Sequence, residues 1–263
     1  ANFKREQMDI GLTVNSTGEL VNFSLSSIVE LPPLVQALHP YNNPLVTVLD
    51  KKTDSLAEAF MNRNNTASLS IGVLQNDKYY TYGYGQTVRG NNKAPDKKTL
   101  YEIGSISKTF TGILLAYFVQ QKKLSLNDPI NKYLPDSIPP IEFNGKPVTL
   151  AALSNHSSGL PRLPSNLFEE ADMQNPYKHY DDQKLFRFLK NFKLTREPGA
   201  QYEYSNLAVG LLGVILERVS KKTYEQLVKE IICEPLFMSR THITLNEFDS
   251  AFFAQGYRGE AAV

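Results

Sequence analysis

Apolar and polar residues alternate through MDIGLTVNSTGELVNFSLS on both sides of Asn15-Ser16-Thr17-Gly18, and this period of two predicts a β-hairpin from Met8 to Ser26. The proline-bearing stretch from Leu31 to Pro44 reads as a linker. From Thr47 to Asn62 the spacing lengthens to three and four. Leu49, Leu56, Ala57 and Phe60 then share one face of a predicted helix. A second hairpin follows: Ala67 to Leu74 alternates, Gln75-Asn76-Asp77-Lys78 turns, and Tyr79 to Tyr84 alternates again.

At Ser105 the period becomes helical once more. Ile106, Phe110, Ile113, Leu114, Tyr117 and Phe118 recur at three- and four-residue steps, which predicts a buried apolar helix. Past Pro129 the chain is punctuated by prolines. Helices are expected near Asp182 to Asn191, from Leu207 to Val219 and from Tyr224 to Ile232, so the middle and end are mainly helical.

Composition narrows the function more than the fold. With 263 residues, 41% apolar and 11% aromatic, the chain can bury a core. Its 28 Lys and Arg against 27 Asp and Glu give a net charge of +1, no electrostatic reason to expect nucleic acid or an anionic membrane, and a small molecule or peptide as the expected substrate. The longest apolar runs, such as Ile113 to Val119, fall far short of the roughly 20 residues of a membrane span, and no signal-like segment opens the chain. One cysteine, Cys233, excludes an internal disulfide and reads as a buried small apolar side chain. His39, His156, His179 and His242 are scattered without an HExxH pair, so a catalytic metal is not expected.

The candidate chemistry lies in YEIGSISKTFTG. A serine hydroxyl needs a base to act as nucleophile, and a desolvated lysine can serve. Residues three apart share a helix face, so Ser105 Oγ and Lys108 Nζ can meet if a helix begins at or just before Ser105. Burial of the lysine stem would favour the neutral amine. With 19 serines and 19 lysines, roughly one Ser-x-x-Lys is expected by chance, and Ser105 read alone is equally a helix cap. A second constellation, EPGAQYEYSNLAVGLLG, sets Tyr204-Ser205-Asn206 between a glycine turn and an apolar helix. Tyr204 is there a candidate proton carrier and Asn206 an amide donor to a substrate carbonyl; alternatively the tyrosines pack and Asn206 caps the helix.

Four segments occur in a telling order: YEIGSISKTFTGILLAYF, LAALSNHSSGLPRLP, EPGAQYEYSNLAVGLLG and EPLFMSRT. Together they resemble the penicillin-recognising serine hydrolases. The Tyr-x-Asn second motif narrows this to the class C β-lactamase, D-alanyl-D-alanine carboxypeptidase and esterase branch. The resemblance spans about Thr47 to the end and implies an α/β fold, an antiparallel sheet flanked by helices with a mainly helical subdomain. It implies Ser105 as the acylated nucleophile, Lys108 as base or proton relay, Tyr204 as partner base, Asn206 as ligand of the substrate amide, and His156 as part of a structural turn. It implies no cofactor, and it suggests a bacterial periplasmic, envelope or secreted location.

The domains expected on this basis are an extension and linker over 1–45 and a hydrolase portion over 46–263, its helical subdomain at about 110–240. One element of the family pattern is missing: a Lys or His, a small residue and Gly on a strand beyond Tyr-x-Asn. Lys222-Thr223 is followed by Tyr224 inside a helical pattern. On that reading the sequence is the front portion of a longer protein, with an incomplete sheet and half an oxyanion hole. Its activity is then in question, and the rival outside catalysis is a silent relative that binds through the same cleft.

Overall fold

A computed structural model describes residues 9–14, 20–26, 39–62, 66–173, 175–259 and 261–262. The chain forms two compact units, Ala1–Lys97 and Lys98–Val263, a division that falls elsewhere than the 45/46 boundary drawn from sequence. The first unit holds two antiparallel hairpins and a helix. Strands β1 (Asp9–Val14) and β2 (Leu20–Ser26) pair from Asp9 with Ser26 to Val14 with Leu20, with a register shift at Thr13/Val14. The turn expected at 15–18 and most of the expected linker, 31–38, lie outside the described residues. Strands β3 (Ser68–Gln75) and β4 (Lys78–Gly85) pair residue for residue. Asn76 and Asp77 join them, both at positive φ, the backbone that a tight two-residue hairpin turn requires and that Asn and Asp tolerate.

Helix α1 (Val48–Met61) starts where the sequence places it but buries a different face. Of the expected Leu49, Leu56, Ala57 and Phe60, only Ala57 is buried; Leu56 and Phe60 are exposed, and Asp50, Thr53 and Met61 face inward instead. Hydrogen bonding decides this. Asp50 accepts from the Thr47 N–H at 2.7 Å in a capping box and from the Tyr82 hydroxyl at 2.8 Å, so a carboxylate sits in the interior fully partnered. Thr47 first, with Tyr82 adding to it, holds the Asp50 carboxyl below its ordinary range, while burial and Asp50 push the Tyr82 phenol up to about 12. Apolar periodicity cannot register a helix anchored by its polar residues.

The second unit is helical with two very short hairpins, β5/β6 (Glu142–Phe143, Lys146–Pro147) and β7/β8 (Tyr257–Arg258, Ala261–Ala262). A 3-10 turn at Gly104–Ile106 leads into α2 (Ser107–Gln120), followed by α3 (Leu150–Ser154), α4 (Asp182–Asn191) and α5 (Asn206–Ser220). After α5 come α6 (Tyr224–Val228), a π-helical turn at Lys229–Cys233, and α7 (Glu247–Ser250). Thr223 is the N-cap of α6, which confirms that Lys222-Thr223-Tyr224 belongs to a helix start and not to a strand. Cys233 is buried as expected.

Helix α5 is the spine of this unit: Leu211, Leu212, Ile215 and Leu216 are fully buried in one core cluster with Leu114 and Phe118 of α2 and Leu150 and Leu153 of α3. The inward stripe of α2 is Thr111, Leu114, Leu115 and Phe118, while Ile106 and Ile113 of the expected face are exposed. Apolar residues nearly encircle α2, so spacing alone does not choose its buried side. The Thr111 and Tyr224 hydroxyls, 2.7 Å apart, fix it by tying α2 to α6. The fold is thus α/β, with small antiparallel sheets and helices. Among the described residues no helix is long and apolar enough to cross a membrane.

Because Leu212 is enclosed on all sides, Leu212→Ala should lower the unfolding free energy by about 2–5 kcal/mol, through lost burial and a residual cavity. Chemical denaturation followed by circular dichroism measures this; a loss below about 1 kcal/mol would show that the α2/α5 core relaxes around the gap.

Candidate active site

Ser105 stands at the entry to α2. Gly104 adopts φ +52°, a left-handed bend that glycine accepts readily, and turns the chain into the short 3-10 segment. No side-chain cap bond forms at the start of either this segment or α2, so the Ser105 hydroxyl is not spent as a helix cap. Lys108, half-buried in the first turn of α2, donates to Ser105 Oγ at 3.0 Å. The helix start required for the two side chains to meet is present.

Tyr204 arrives from the loop before α5, and its hydroxyl lies 2.6 Å from Ser105 Oγ. The Lys108 Nζ is 4.9 Å from the centre of the Tyr204 ring, and the guanidinium carbon of exposed Arg162 is 5.2 Å from the same centre. These neighbours favour phenolate. Hydrogen bonding with Lys108 first, then with Ser105, holds the Tyr204 phenol below its ordinary range; desolvation opposes them, and the charges of Lys108 and Arg162 assist.

The loop is positioned by a segment some fifty residues upstream. Ser205, fully buried, caps α5 by accepting from the Ala208 N–H at 2.9 Å and donates its own hydroxyl proton to the Pro161 carbonyl at 2.6 Å. The Arg162 carbonyl accepts the Asn206 and Leu207 N–H groups at 3.0 and 3.2 Å. His156 takes the Glu203 N–H on its carbonyl at 2.7 Å and the Ser205 N–H on its Nδ1 at 3.1 Å, with its ring 4.5 Å from that of Tyr204.

Of the four residues expected from sequence, Ser105, Lys108 and Tyr204 thus form one hydrogen-bonded trio. Asn206 adjoins it differently. With Lys108 it lines a cavity of about 320 Å³ between α2 and α5, where its buried Oδ1 accepts no hydrogen bond among the described residues. The alternative of Asn206 as helix cap is corrected: the cap is Ser205, whose hydroxyl directly precedes an apolar run, a signal present in the sequence. The roles of Arg162 and of the His156 side chain were not read from sequence. Both reach the site through the fold alone. Among the described residues no three His, Cys, Asp or Glu side chains converge as a metal site needs.

A serine one helical turn from a lysine, with a tyrosine from a second helix start closing the trio, defines the class of penicillin-recognising serine hydrolases. The chain belongs to the Beta-lactamase family, whose model matches residues 53–263. It is 31% identical over 211 residues to a beta-lactamase of Pseudomonas fluorescens, which covers 80% of this chain and 55% of that protein. It is 32% identical over 192 residues to the D-alanyl-D-alanine-carboxypeptidase/endopeptidase AmpH of Escherichia coli K12, covering 73% and 49% respectively. Among solved structures, a beta-lactamase/D-alanine carboxypeptidase from Yersinia pestis complexed with citrate superposes with a TM-score of 0.71 at 28% identity, over 78% of this chain and 57% of that one. A class C beta lactamase superposes with a TM-score of 0.69 at 27% identity, over 82% and 57%. The chain spans about half the length of the curated relatives it matches.

The Tyr204 environment is directly testable. Phenolate absorbance, taken as the difference from Tyr204→Phe, should titrate below the ordinary phenol range, and in Lys108→Met the same difference should move upward. An unchanged midpoint would remove Lys108 as the cause.

Proposed function

We propose that the protein is a serine hydrolase that forms an acyl-enzyme on Ser105 and cleaves an amide, a β-lactam or a carboxylic ester. The observation that carries this reading is the geometry of the trio. Lys108 Nζ lies 3.0 Å and the Tyr204 oxygen 2.6 Å from Ser105 Oγ, and with Tyr204 as the phenolate that Lys108 favours, the serine proton is the one that bridges the two oxygens. An acceptor held at that oxygen is what a general base requires.

In the proposed reaction Ser105 Oγ attacks the substrate carbonyl carbon while its proton passes to Tyr204. The tetrahedral intermediate collapses as the carbon–nitrogen or carbon–oxygen bond breaks, and Tyr204 returns the proton to the leaving group. Water, deprotonated by the same phenolate, then attacks the ester; the bond to Ser105 Oγ breaks, Tyr204 returns the proton to Oγ, and the acid leaves with Ser105 and the phenolate restored. Lys108 keeps Tyr204 ionised between transfers. The Ser105 N–H supplies part of an oxyanion hole, where one donor is worth a few kcal/mol of transition-state stabilisation. Asn206, with an unpartnered Oδ1 beside Lys108, suits a substrate amide N–H. The names of the relatives favour a β-lactam or a D-amino-acid peptide, and their family favours the bacterial envelope or the outside of the cell as the place of action.

Incubation with a fluorescent penicillin or a fluorophosphonate should leave a mass adduct on the peptide that carries Ser105. Ser105→Ala should lower the labelling rate by on the order of 10³-fold or more. Failure of both probes to acylate the protein would favour the silent binding relative instead.

A further inference from the structure

We infer that His156 is a positioning residue for Tyr204, and that it acts only as the neutral imidazole protonated on Nε2. This rests on the proposed role of Tyr204 and adds to it a residue that does not touch the reacting atoms. His156 engages each of the four residues from Tyr202 to Ser205 in the loop that presents the phenol. Its ring meets Tyr202 edge-on at 5.7 Å and Tyr204 at 4.5 Å with a 34° tilt. Its carbonyl accepts the Glu203 N–H, and its Nδ1 accepts the Ser205 N–H. The backbone is committed to the same purpose: His156 sits at φ +62°, a left-handed conformation that turns the chain back toward the loop.

The tautomer follows from the donor. A backbone N–H can only donate, so Nδ1 must present its lone pair, and the neutral ring carries its proton on Nε2. Protonation of Nδ1 would set one N–H against another across 3.1 Å and release Ser205. The charged groups around the ring disfavour that proton. Lys108 of α2 is close enough to act on the imidazole, and Arg162, from the segment that clamps α5, lies on the Tyr204 ring. Glu203 carries the nearby negative charge of the loop, but its carboxylate is engaged by Arg196; Tyr202 and Tyr204 are the remaining titratable neighbours. Burial first, and Lys108 second, accordingly hold the His156 pKa below its ordinary value, with the Ser205 contact working the other way. As the pH falls through that lowered value, the imidazolium forms, the Ser205 N–H loses its acceptor, and Tyr204 is no longer held against Ser105.

Two substitutions separate positioning from mere filling. Asn accepts left-handed backbone and places Oδ1 near the position of Nδ1 but does not titrate, whereas Gly accepts the backbone and removes the acceptor. The second-order rate of labelling by a fluorescent penicillin, followed from about pH 8 to about pH 5, should fall in the parent with one proton more in its acid limb than in His156→Asn. His156→Gly should label about 10–100-fold more slowly at neutral pH, and His156→Asn should recover most of that loss. The same order should appear without catalysis, in the phenolate absorbance of Tyr204 taken against Tyr204→Phe: raised in His156→Gly, restored in His156→Asn. Nitrogen-15 spectra of the parent should show the Nε2–H tautomer. Identical acid limbs in parent and His156→Asn, or a Tyr204 titration indifferent to both substitutions, would overturn the inference. Absence of labelling with the titration order intact would overturn the hydrolase reading and leave the positioning role standing.

Discussion

The site depends on how the Ser205 hydroxyl is spent. It is fully buried and uses both of its capacities, accepting from the Ala208 N–H and donating to the Pro161 carbonyl. The first bond starts α5; the second fixes that start to a segment 44 residues earlier. A buried hydroxyl deprived of either partner is destabilising by about 1–3 kcal/mol, so the two halves of the clamp hold or fail together. Tyr204 on one side and Asn206 on the other inherit their places from this residue. The middle position of Tyr-x-Asn sets the geometry of the residues on either side of it.

What the sequence disclosed is what local periods and local chemistry can encode. The β3/β4 hairpin, α4 and α5 are recoverable from local pattern: the hairpin from its Asn-Asp turn between alternating runs, α4 from one apolar stripe and an Asp cap, and α5 from a Ser cap opening a long apolar run. Ser105 and Lys108 are recoverable because three residues is a helical distance. The buried faces of α1 and α2 are not. In α1 the interior is claimed by Asp50 and Thr53 through bonds to a distant strand, and in α2 the apolar residues run nearly all the way round. His156 was legible as part of a family turn but not as the acceptor for Ser205, since that bond joins residues 49 apart and leaves no period to detect. Long-range polar contacts define most of what spacing missed.

The trio itself is lightly covered, with Ser105 exposed and Tyr204 and Lys108 half-buried, so water competes for each of its hydrogen bonds. Its order comes from anchoring each member separately. The Gly104 bend, the 3-10 turn and α2 hold Ser105 and Lys108 on one continuous segment, while the clamp at Ser205, the His156 ring and the Arg162 carbonyl and guanidinium hold Tyr204 on another. Three side chains on flexible stems would not meet at 2.6 and 3.0 Å without such support, because each restrained rotor costs about 0.5–1.5 kcal/mol.

That separation bears on which residue serves as base. Ser105, in the 3-10 turn, and Lys108, in the first turn of α2, are three residues apart on one continuous segment, so their distance changes little with events elsewhere. Tyr204 belongs to a loop whose position is set by bonds that an added proton on His156, or a lost one at Ser205, would break. If Lys108 were the sole base, the long-range clamp would be idle in catalysis. In the proposed hydrolase each contact has a use: Lys108 lowers the phenol pKa, the phenolate oxygen takes the serine proton, and the clamp keeps that oxygen within reach. On the proposed reaction, the upstream turn is therefore as much a part of activating Ser105 as the Ser-x-x-Lys pair that first marks it.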